Sequence, residues 1–406
     1  MRPLLAVALP RADAALAVVR AWEVGEAVLP LDPAAPAAAL RRTLAALRPT
    51  HLLDRDGRAG LPGGEPVEGQ IAAVVATSGT SGEPKGVELT AAGIEASASA
   101  VSTAIGADRA DRWLACVPVH SVAGLAIVAR AWHAALPLEV HERFDAALVD
   151  QAAREGPATL VSLVPTMLAR LLDAGAELGR FRRILLGGAQ PPPGLLARAA
   201  GRGATVVTTY GLTETFGGVV HDGHPLPGVE ISVTVGGEIA VRGPMVMRRY
   251  RRDPAATRLA LRDGLLRTGD LGRIGPGGRL EVLGRQDDLI ITGGVNVHPT
   301  EVEAVLVDHP AVAEVAVAGV PDPEWGQRLV AYVVASDAGR PPSLQELRAH
   351  VRERLAAAKA PRGLVVTDEL PRTPSGKILR RQLAGPASDT GPPLAVARPL
   401  GAPPGI

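Results

Sequence analysis

The ten residues Thr77–Gly86 have the composition of a loop that binds phosphate groups. Their sequence, TSGTSGEPKG, follows the apolar segment Ile71–Thr77, which is predicted to be a strand. Glycines let the backbone approach phosphate oxygens closely, hydroxyl groups donate hydrogen bonds to them, and Lys85 adds a positive charge. The loop is not a Walker sequence, because its glycine and lysine are not adjacent as that motif requires. It predicts a nucleotide site of another kind, and a flexible Gly/Ser turn is the alternative.

Lysine is rare in this chain: of the 43 basic residues only Lys85, Lys359 and Lys377 are lysines. A bias toward GC-rich codons explains the excess of arginine. A lysine retained against that bias indicates a task that suits a compact charge on a flexible stem better than a planar guanidinium. Lys85 and Lys377 are therefore candidates for chemistry.

Five motifs, in chain order, resemble the signatures of the adenylate-forming superfamily of acyl-CoA synthetases, peptide-synthetase adenylation domains and luciferases. After the phosphate loop they are YGLTET at Tyr210–Thr215, TGD at Thr268–Asp270, GRQDD at Gly284–Asp288 with GGVN at Gly293–Asn296, and PSGK at Pro374–Lys377. The resemblance covers nearly the whole chain. In one departure, the phosphate loop begins earlier than is usual in the superfamily, so we expect a shortened N-terminal lobe.

This resemblance implies a ligase that uses ATP, Mg²⁺ and CoA. A carboxylate attacks the α-phosphate of ATP to give an acyl-adenylate and pyrophosphate, and a thiol then displaces AMP. The protein positions the reactants and stabilises charge. By resemblance, Lys377 neutralises charge between the carboxylate and the α-phosphate, and Glu214 is the second catalytic residue. Glu214 and Thr80 are implied to hold the magnesium ion.

The resemblance also implies a nucleotide site, a hinge and a CoA channel. The nucleotide-binding residues are Thr77, Ser78, Gly79, Thr80, Ser81, Gly82, Lys85, Gly187, Gly188, Ala189, Tyr210, Gly211, Thr213, Asp270 and Arg285. Tyr210 is implied to stack on adenine, Thr213 to contact the α-phosphate, and Asp270 with Arg285 to bind the ribose hydroxyls. The hinge is implied at Asp287, and Gly293 with Gly294 would line the CoA channel.

The segment Val117–Arg130 is the candidate acyl pocket. Superfamily members that activate amino acids carry an aspartate in this stretch, and here it contains no acidic residue, which argues against an amino-acid substrate. Arg130 is the only formal charge between Arg112 and Glu139. A buried arginine needs an anionic partner, and a second carboxylate on the substrate would supply it. The alternative is an exposed arginine on a helix.

The same segment resembles the o-succinylbenzoate–CoA ligases of menaquinone biosynthesis, especially the short actinobacterial forms. In that family a Gly-Leu-x4-Arg pattern supplies an arginine for the substrate carboxylate, and Gly124, Leu125 and Arg130 reproduce it. The acyl-binding residues implied are His120, Ser121 and Arg130. Ser121 stands where the family usually has a histidine, and we expect His120 beside it to substitute. The favoured substrate is therefore the small carboxylic acid o-succinylbenzoate.

Two other functions remain open from the sequence alone. The first is another acyl-CoA synthetase, acting on a fatty, malonyl-like or aryl monoacid. An apolar pocket without need for Arg130 would favour it, and a purely aliphatic acid would leave that arginine unpaired. The second is an adenylating enzyme that loads a separate carrier protein, or a non-catalytic nucleotide-binding relative. The presence of Lys377, Glu214 and Asp270 argues against a chain without activity.

Alternating strands and helices predict an α/β fold with mostly parallel strands, in which ligands bind beyond the carboxyl ends of strands. Predicted strands include Thr159–Val164, Arg183–Leu186 and Thr205–Thr209, the last ending at Tyr210. A capping box at Ser343 predicts a helix that extends to about Ala358. We expect a large N-terminal domain at 1–286 of layered α/β sheets with a small β subdomain at 228–286. A smaller, mobile α+β C-terminal domain at 287–385 and a disordered proline-rich tail at 386–406 follow.

The composition of the chain indicates which kinds of partner and which cellular compartment to expect. The net charge of +1 gives no field to attract nucleic acid or an anionic membrane. The single cysteine, Cys116, excludes an intrachain disulfide framework and fits a reducing cytoplasm. The apolar run Trp113–Leu138 contains two prolines, two histidines and Arg130, which argues against a membrane helix. We therefore expect a cytoplasmic enzyme with a small-molecule substrate. The sequence leaves the oligomeric state open.

Overall fold

The computed structural model describes residues 1–78, 84–372 and 378–384. The chain divides into two compact units: residues 1–268 with 274–281, and residues 269–273 with the chain from 282 onward. The predicted tail at 386–406 lies outside the described residues. The predicted domain limits, including the hinge at Asp287, stay predictions.

The first unit contains two seven-stranded sheets and part of a smaller one. Its first elements are β1 (Leu4–Val7), α1 (Arg11–Glu23), β2 (Ala27–Pro30), α2 (Ala37–Leu47), β3 (His51–Asp54), β4 (Gly57–Gly60), β5 (Ile71–Ser78), β6 (Pro84–Thr90) and α3 (Ala91–Ala104). There follow β7 (Trp113–Ala115), α4 (Val122–His133), β8 (Leu138–Val140), α5 (Ala146–Arg154), β9 (Leu160–Leu163), α6 (Pro165–Asp173), β10 (Arg183–Leu186), α7 (Leu195–Ala200), β11 (Val206–Leu212), β12 (Gly217–His221) and β13 (His224–Pro225).

A region of short strands comes next: β14 (Glu230–Val233), β15 (Glu238–Arg242), β16 (Arg249–Arg251), α8 (Pro254–Ala260), β17 (Leu261–Arg262), β18 (Leu265–Ile274) and β19 (Leu280–Arg285). The first large sheet has the order β16-β6-β5-β2-β1-β3-β4, and the second has the order β13-β12-β11-β10-β9-β7-β8. In both, the central strands are parallel. The first sheet has antiparallel strands at both edges, whereas the second has them only at the edge formed by β12 and β13, and its other edge strand, β8, is parallel to β7. The smaller sheet has the order β14-β15-β18-β17.

The second unit is built on a sheet with the order β21-β20-β23-β22, and β24 also pairs with β23. Its elements are β20 (Ile290–Thr292), β21 (Val295–Val297), α9 (Pro299–Leu306), β22 (Val312–Asp322), β23 (Gly326–Ala335), α10 (Leu344–Arg352), β24 (Gly363–Val366) and α11 (Arg380–Ala384). Helices α9 and α10 bury apolar side chains against one face of this sheet, including Val302, Leu306, Leu347 and Val351. The predicted α/β class with layered sheets is therefore confirmed.

Two predicted elements have other limits in the structure. Strand β11 does not end at Tyr210 but runs on to Leu212, because β12 folds back and pairs with it. The helix that opens at Ser343 ends at Arg352 and not near Ala358. The chain adopts an extended conformation at Ala356 and forms only a 3-10 turn at Ala357–Lys359.

Across the described ranges, every helix is too short or too polar to cross a bilayer.

A buried carboxylate fastens the edge strand β16 to β6. Glu88, 1 % exposed, accepts hydrogen bonds from Arg249 at 2.7 Å and from Arg251 at 3.1 Å. The guanidinium of Arg251 also donates to the carbonyl oxygens of Leu47 and Glu65. These contacts compensate for the burial of charge, because each charged group has close partners.

We expect Glu88→Gln to lower the free energy of unfolding by about 3 kcal/mol, because it leaves the Arg251 guanidinium buried with a weaker partner. Denaturant titration monitored by circular dichroism measures this change. Asp173→Asn is the matched control: it removes an exposed ion pair with Arg198 and should cost less than about 1 kcal/mol. Equal effects of the two substitutions would contradict the assigned role of Glu88.

Candidate active site

Strands β10 and β11 are parallel neighbours. At their carboxyl ends lie two of the predicted motifs, the segment 187–189 and the YGLTET motif that begins at Tyr210. Gly187 follows β10, and a Cβ atom on it would lie 2.3 Å from Oγ1 of Thr209, so that a larger residue would displace this side chain. Gly188 and Ala189 are exposed beside it, and Tyr210 lies in the neighbouring strand. This edge of a parallel sheet is where α/β proteins bind ligands.

Glu214 lies in the tight connection between β11 and β12. The two strands approach so closely that a Cβ atom on Gly211 would lie 1.8 Å from the carbonyl oxygen of Gly217. The buried hydroxyl of Thr215 donates to that same carbonyl at 2.8 Å and helps to close the turn. Thr213 and Glu214 remain half-exposed, so both side chains are accessible to a ligand.

Tyr250, on β16, joins Glu214 to the phosphate-loop motif. Its hydroxyl donates to Oε1 of Glu214 at 2.7 Å, and Nζ of Lys85 lies 5.4 Å from the centroid of its ring. The backbone amide of Met247 donates to the carbonyl of Glu214 at 2.7 Å. Sequence reasoning missed Tyr250, and its one signal was rarity, since the chain has three tyrosines.

The phosphate loop is described only at its two ends. Thr77 and Lys85 are paired across β5 and β6, and the Thr77 hydroxyl donates to the carbonyl of Lys85 at 3.5 Å. Ser78 is the last residue of β5. The predicted residues Gly79, Thr80, Ser81 and Gly82 lie outside the described residues.

The candidate acyl segment begins with a helix cap. Ser121 is the N-cap of α4: its hydroxyl oxygen accepts from the amide of Gly124 at 3.2 Å and donates to the carbonyl of Pro118 at 2.7 Å. The neighbouring His120 lines a cavity of about 180 Å³ together with Asp32. Burial lowers the pKa of His120 from its ordinary value, and the Asp32 carboxylate opposes that shift. His120 therefore lines a cavity, and Ser121 caps the helix.

Arg130, in the last turn of α4, is buried and 6 % exposed. Its guanidinium lies over the Trp113 ring, 5.7 Å from the centroid. It makes no ion pair and no hydrogen bond with any residue of the described ranges, and its Nε atom is fully buried. Burial lowers the pKa of Arg130 to about 10, so the group stays charged at neutral pH. The predicted buried arginine is therefore present, and its charge has no carboxylate beside it within those ranges.

His221, at the end of β12, faces the same charge. It is 8 % exposed, and neither ring nitrogen has a hydrogen-bond partner among the residues described. Burial and the charge of Arg130 lower its pKa to about 4, against an opposing effect of Asp222. Sequence reasoning missed His221, because nothing in the sequence places residue 221 near residue 130. Arg130 and His221 thus lie beside neighbouring glycines of β12: the Arg130 guanidinium is near Gly217 and the His221 ring is near Gly218.

In the second unit, Asp270 and Arg285 form an ion pair. Asp270 is 7 % exposed, and Nη1 of Arg285 lies 3.0 Å from its Oδ1. A Cβ atom on Gly269 would lie 3.1 Å from Nη2 of Arg285, which favours glycine at this position. Asp270 and Arg285, which were predicted to bind the ribose hydroxyls, are therefore adjacent in the structure.

Gly293 and Gly294 form the two-residue turn between β20 and β21, with φ values of +54° and +78°. Such turns need positive φ at both positions, which explains the two glycines. Gly293 also packs on Trp325, since a Cβ atom would lie 2.7 Å from its ring. Asp287 lies in a 3-10 turn at Gln286–Asp288, and Lys377 lies outside the described residues.

The described residues contain no group of three or more His, Cys, Asp or Glu side chains placed to hold a metal ion. Magnesium bound with ATP needs only one or two protein carboxylates, because phosphates and waters supply the other ligands. Glu214 offers one half-exposed carboxylate beside the strands that carry the phosphate loop. These oxygen donors fit a magnesium ion that enters with a nucleotide.

Comparisons with known proteins identify the family. Residues 58–251 match the model of the AMP-binding enzymes, and residues 301–377 match that of the AMP-binding enzyme C-terminal domain. A probable 2-succinylbenzoate–CoA ligase of Mycobacterium tuberculosis is 42 % identical over 338 residues, covering 80 % of this chain and 88 % of the relative. The 2-succinylbenzoate–CoA ligase of Bacillus licheniformis is 37 % identical, covering 77 % and 69 %.

Solved structures show the same architecture. The o-succinylbenzoate CoA synthetase of Bacillus subtilis in complex with its acyl-adenylate intermediate has a TM-score of 0.85 at 32 % identity, covering 95 % of this chain and 88 % of that chain. The same synthetase with ATP and a magnesium ion has a TM-score of 0.83 at 31 % identity, covering 94 % and 89 %. The chain therefore belongs to the 2-succinylbenzoate–CoA ligase family of AMP-binding enzymes.

Proposed function

We propose that this chain is an ATP-dependent ligase that joins o-succinylbenzoate to CoA in menaquinone biosynthesis. The observation that carries the proposal is the buried guanidinium of Arg130, which has no carboxylate partner in the described ranges. A second carboxylate on the substrate would pair with that charge. The relatives at 37–42 % identity carry the same activity in their names. We place the reaction in the cytoplasm, where ATP and CoA are available.

The reaction has two steps. A carboxylate oxygen of the acid attacks the α-phosphorus of ATP, the bond from the α-phosphorus to the bridging oxygen breaks, and pyrophosphate leaves. The sulfur of CoA, having lost its proton, then attacks the acyl carbon, and AMP leaves with the electrons of the broken C–O bond. Both transition states gather negative charge on oxygen, so catalysis requires positive groups and fixed positions.

Glu214 and Thr80 would hold the magnesium ion that accompanies ATP. When bound, this ion neutralises the phosphate charge that builds as pyrophosphate leaves. The carboxylate of Glu214 is half-exposed and is oriented by the Tyr250 hydroxyl, which supports this role. Thr80 comes from the resemblance alone.

The nucleotide would lie along the carboxyl ends of β10 and β11. Tyr210 would stack on adenine, with the backbone of Gly187, Gly188 and Ala189 along the base, and Gly211 would leave room beside it. Thr213 would contact the α-phosphate. The proximity of these residues at one sheet edge supports the assignment.

We assign the phosphates of the nucleotide to one set of residues and its ribose to another. The phosphate loop would bind through Thr77, Ser78, Gly79, Ser81, Gly82 and Lys85. Asp270 would accept hydrogen bonds from the ribose hydroxyls and Arg285 would donate to them. Their 3.0 Å ion pair supports this, since each fixes the orientation of the other.

The C-terminal residues would serve both half-reactions. Lys377 would neutralise charge between the attacking carboxylate and the α-phosphate. After adenylation, rotation at Asp287 would withdraw Lys377 and bring Gly293 and Gly294 to the CoA channel. The glycine turn offers a backbone without side chains, which supports a role in lining a narrow channel.

Specificity for the acid would come from Arg130. Its charge costs free energy when buried alone, and a substrate carboxylate that pairs with it removes much of that cost. His221 beside it stays neutral, so it does not add a second positive charge to repel Arg130. His120 and Ser121, at the start of the same helix, would border the other end of the acyl group.

We expect Arg130→Met to raise the KM for o-succinylbenzoate by about 30-fold or more, because a desolvated carboxylate loses its charged partner. The KM for benzoate, which has one carboxylate, should change little. Pyrophosphate release with ATP, Mg²⁺ and CoA measures both. Arg170→Met, an exposed arginine in the last turn of α6, is the matched control. An equal loss for both acids would assign Arg130 a folding role instead.

The pH dependence of the unfolding free energy should show that His221 is neutral in the folded chain. With a pKa of about 4 in the folded chain and an ordinary value of about 6.5 unfolded, the unfolded state binds the extra proton between these pH values. Acidification from pH 6.5 to 4 should therefore destabilise the wild type relative to His221→Gln, by at most about 1.4 kcal/mol per pH unit. Denaturant titrations across this range test it, and parallel curves would refute it.

Lys377→Ala should separate the two half-reactions. We expect adenylate formation to fall by a factor of about 100 or more, because one charge-stabilising group is lost at the transition state. Thioester formation from preformed acyl-adenylate should stay within a few-fold of wild type. Stopped-flow measurement of each half-reaction gives the two rates. A similar fall in both would exclude the assigned role.

A further inference from the structure

One side chain outside the predicted motifs contacts two of them. The hydroxyl of Tyr250 donates to Oε1 of Glu214 at 2.7 Å, and its ring lies against Nζ of Lys85, 5.4 Å from the centroid. We propose that Tyr250 is a positioning residue, which orients the Glu214 carboxylate toward the magnesium ion of Mg·ATP and holds Lys85 at the phosphates. This inference rests on the proposed function and adds a residue to its machinery.

The position of Tyr250 is fixed by the strand that carries it. In β16, Tyr250 pairs with Val87, between two arginines that both donate to the buried carboxylate of Glu88. Just before the strand, the amide of Met247 donates to the carbonyl of Glu214. The strand is therefore attached on one side to β6 and on the other to the turn that contains Glu214. The phenol has two rotatable bonds, so little further ordering is needed to place its hydroxyl.

The chemistry of a phenol suits this task. As a neutral donor it occupies one lone pair on Oε1 and leaves the charge of the carboxylate uncancelled, whereas an arginine or lysine here would compete with a metal ion. Oε2 of Glu214 makes no hydrogen bond to a residue in the described part of the chain. One oxygen is thus held by Tyr250, and Oε2 would be the oxygen that binds the metal ion. Hydrogen bonds of this kind to a metal ligand orient it and raise metal affinity.

The ring has a second role toward Lys85. A cation is attracted to the face of an aromatic ring, and that attraction limits the positions the long lysine side chain takes. Lys85 is on β6, next to the phosphate loop, so the ring of Tyr250 keeps its ammonium group near the loop. The hydroxyl and the ring therefore act on different groups, and substitutions can separate them.

The test uses Tyr250→Phe, which keeps the ring and removes the hydroxyl, in the full chain. We expect the Mg²⁺ concentration for half-maximal pyrophosphate release to rise about 10-fold, with the rate at saturating Mg²⁺ within a few-fold of wild type. The KM for o-succinylbenzoate should not change. Tyr332→Phe, which removes a buried hydroxyl bonded to the Leu383 carbonyl, is the matched control and should behave as wild type.

A second readout does not depend on turnover. Electron paramagnetic resonance of Mn²⁺, with a non-hydrolysable ATP analogue, measures metal affinity directly and should show the same weakening of about 10-fold in Tyr250→Phe. Tyr250→Leu, which also removes the ring, should raise the KM for ATP beyond the value in Tyr250→Phe. Circular dichroism checks that both variants keep the fold of the wild type.

The outcomes are distinguishable. Mg²⁺ and Mn²⁺ dependence in Tyr250→Phe within two-fold of wild type would overturn the role of the hydroxyl. Equal KM values for ATP in the Phe and Leu variants would overturn the role of the ring. If the wild type does not activate o-succinylbenzoate, the proposed function fails, and the Mn²⁺ measurement still decides whether Tyr250 supports a metal·nucleotide site.

Discussion

The buried carboxylate of Glu88 joins the two strands that carry Lys85 and Tyr250. It binds two arginines of β16 and so attaches that edge strand to β6, the strand that follows the phosphate loop. The attached strand carries Tyr250, whose hydroxyl reaches Glu214. A charge buried in the core of one sheet therefore determines the geometry between two motifs far apart in sequence. Such a pair is costly to form and costlier to break.

A second constraint is the buried charge of Arg130, which, unlike that of Glu88, has no oppositely charged partner among the described residues. Glu88 has two cationic partners, whereas Arg130 is buried beside the Trp113 ring and a neutral His221. Within the described residues no carboxylate offsets that charge, so the acyl pocket that we propose at Arg130 would be electrostatically incomplete without an anion. An acid with one carboxylate, which the reaction consumes, cannot complete it. An acid with a second carboxylate can, and this links burial of one arginine to the choice of substrate.

The sequence predicted those candidate site residues that directly follow a recognisable strand. Gly187 and Tyr210 follow apolar, β-branched segments, and they lie where parallel strands of an α/β sheet end. Tyr250 and His221 escaped prediction because their importance comes from contacts across the fold, to Glu214 and Arg130. The hairpin through Tyr210 was also missed, since only the pairing of β12 extends β11 past that residue. Helix α10 ends early because Ala356 adopts an extended backbone, which its helix-favouring sequence does not indicate.

Competition among acids measures the discrimination that we attribute to the buried charge of Arg130. The chain would be given ATP, Mg²⁺, CoA and an equimolar mixture of o-succinylbenzoate, benzoate, octanoate and malonate, and the thioesters would be quantified by mass spectrometry. We expect o-succinylbenzoyl-CoA to be the dominant product. Predominance of the benzoyl or octanoyl thioester would contradict it, since neither acid offers Arg130 a carboxylate.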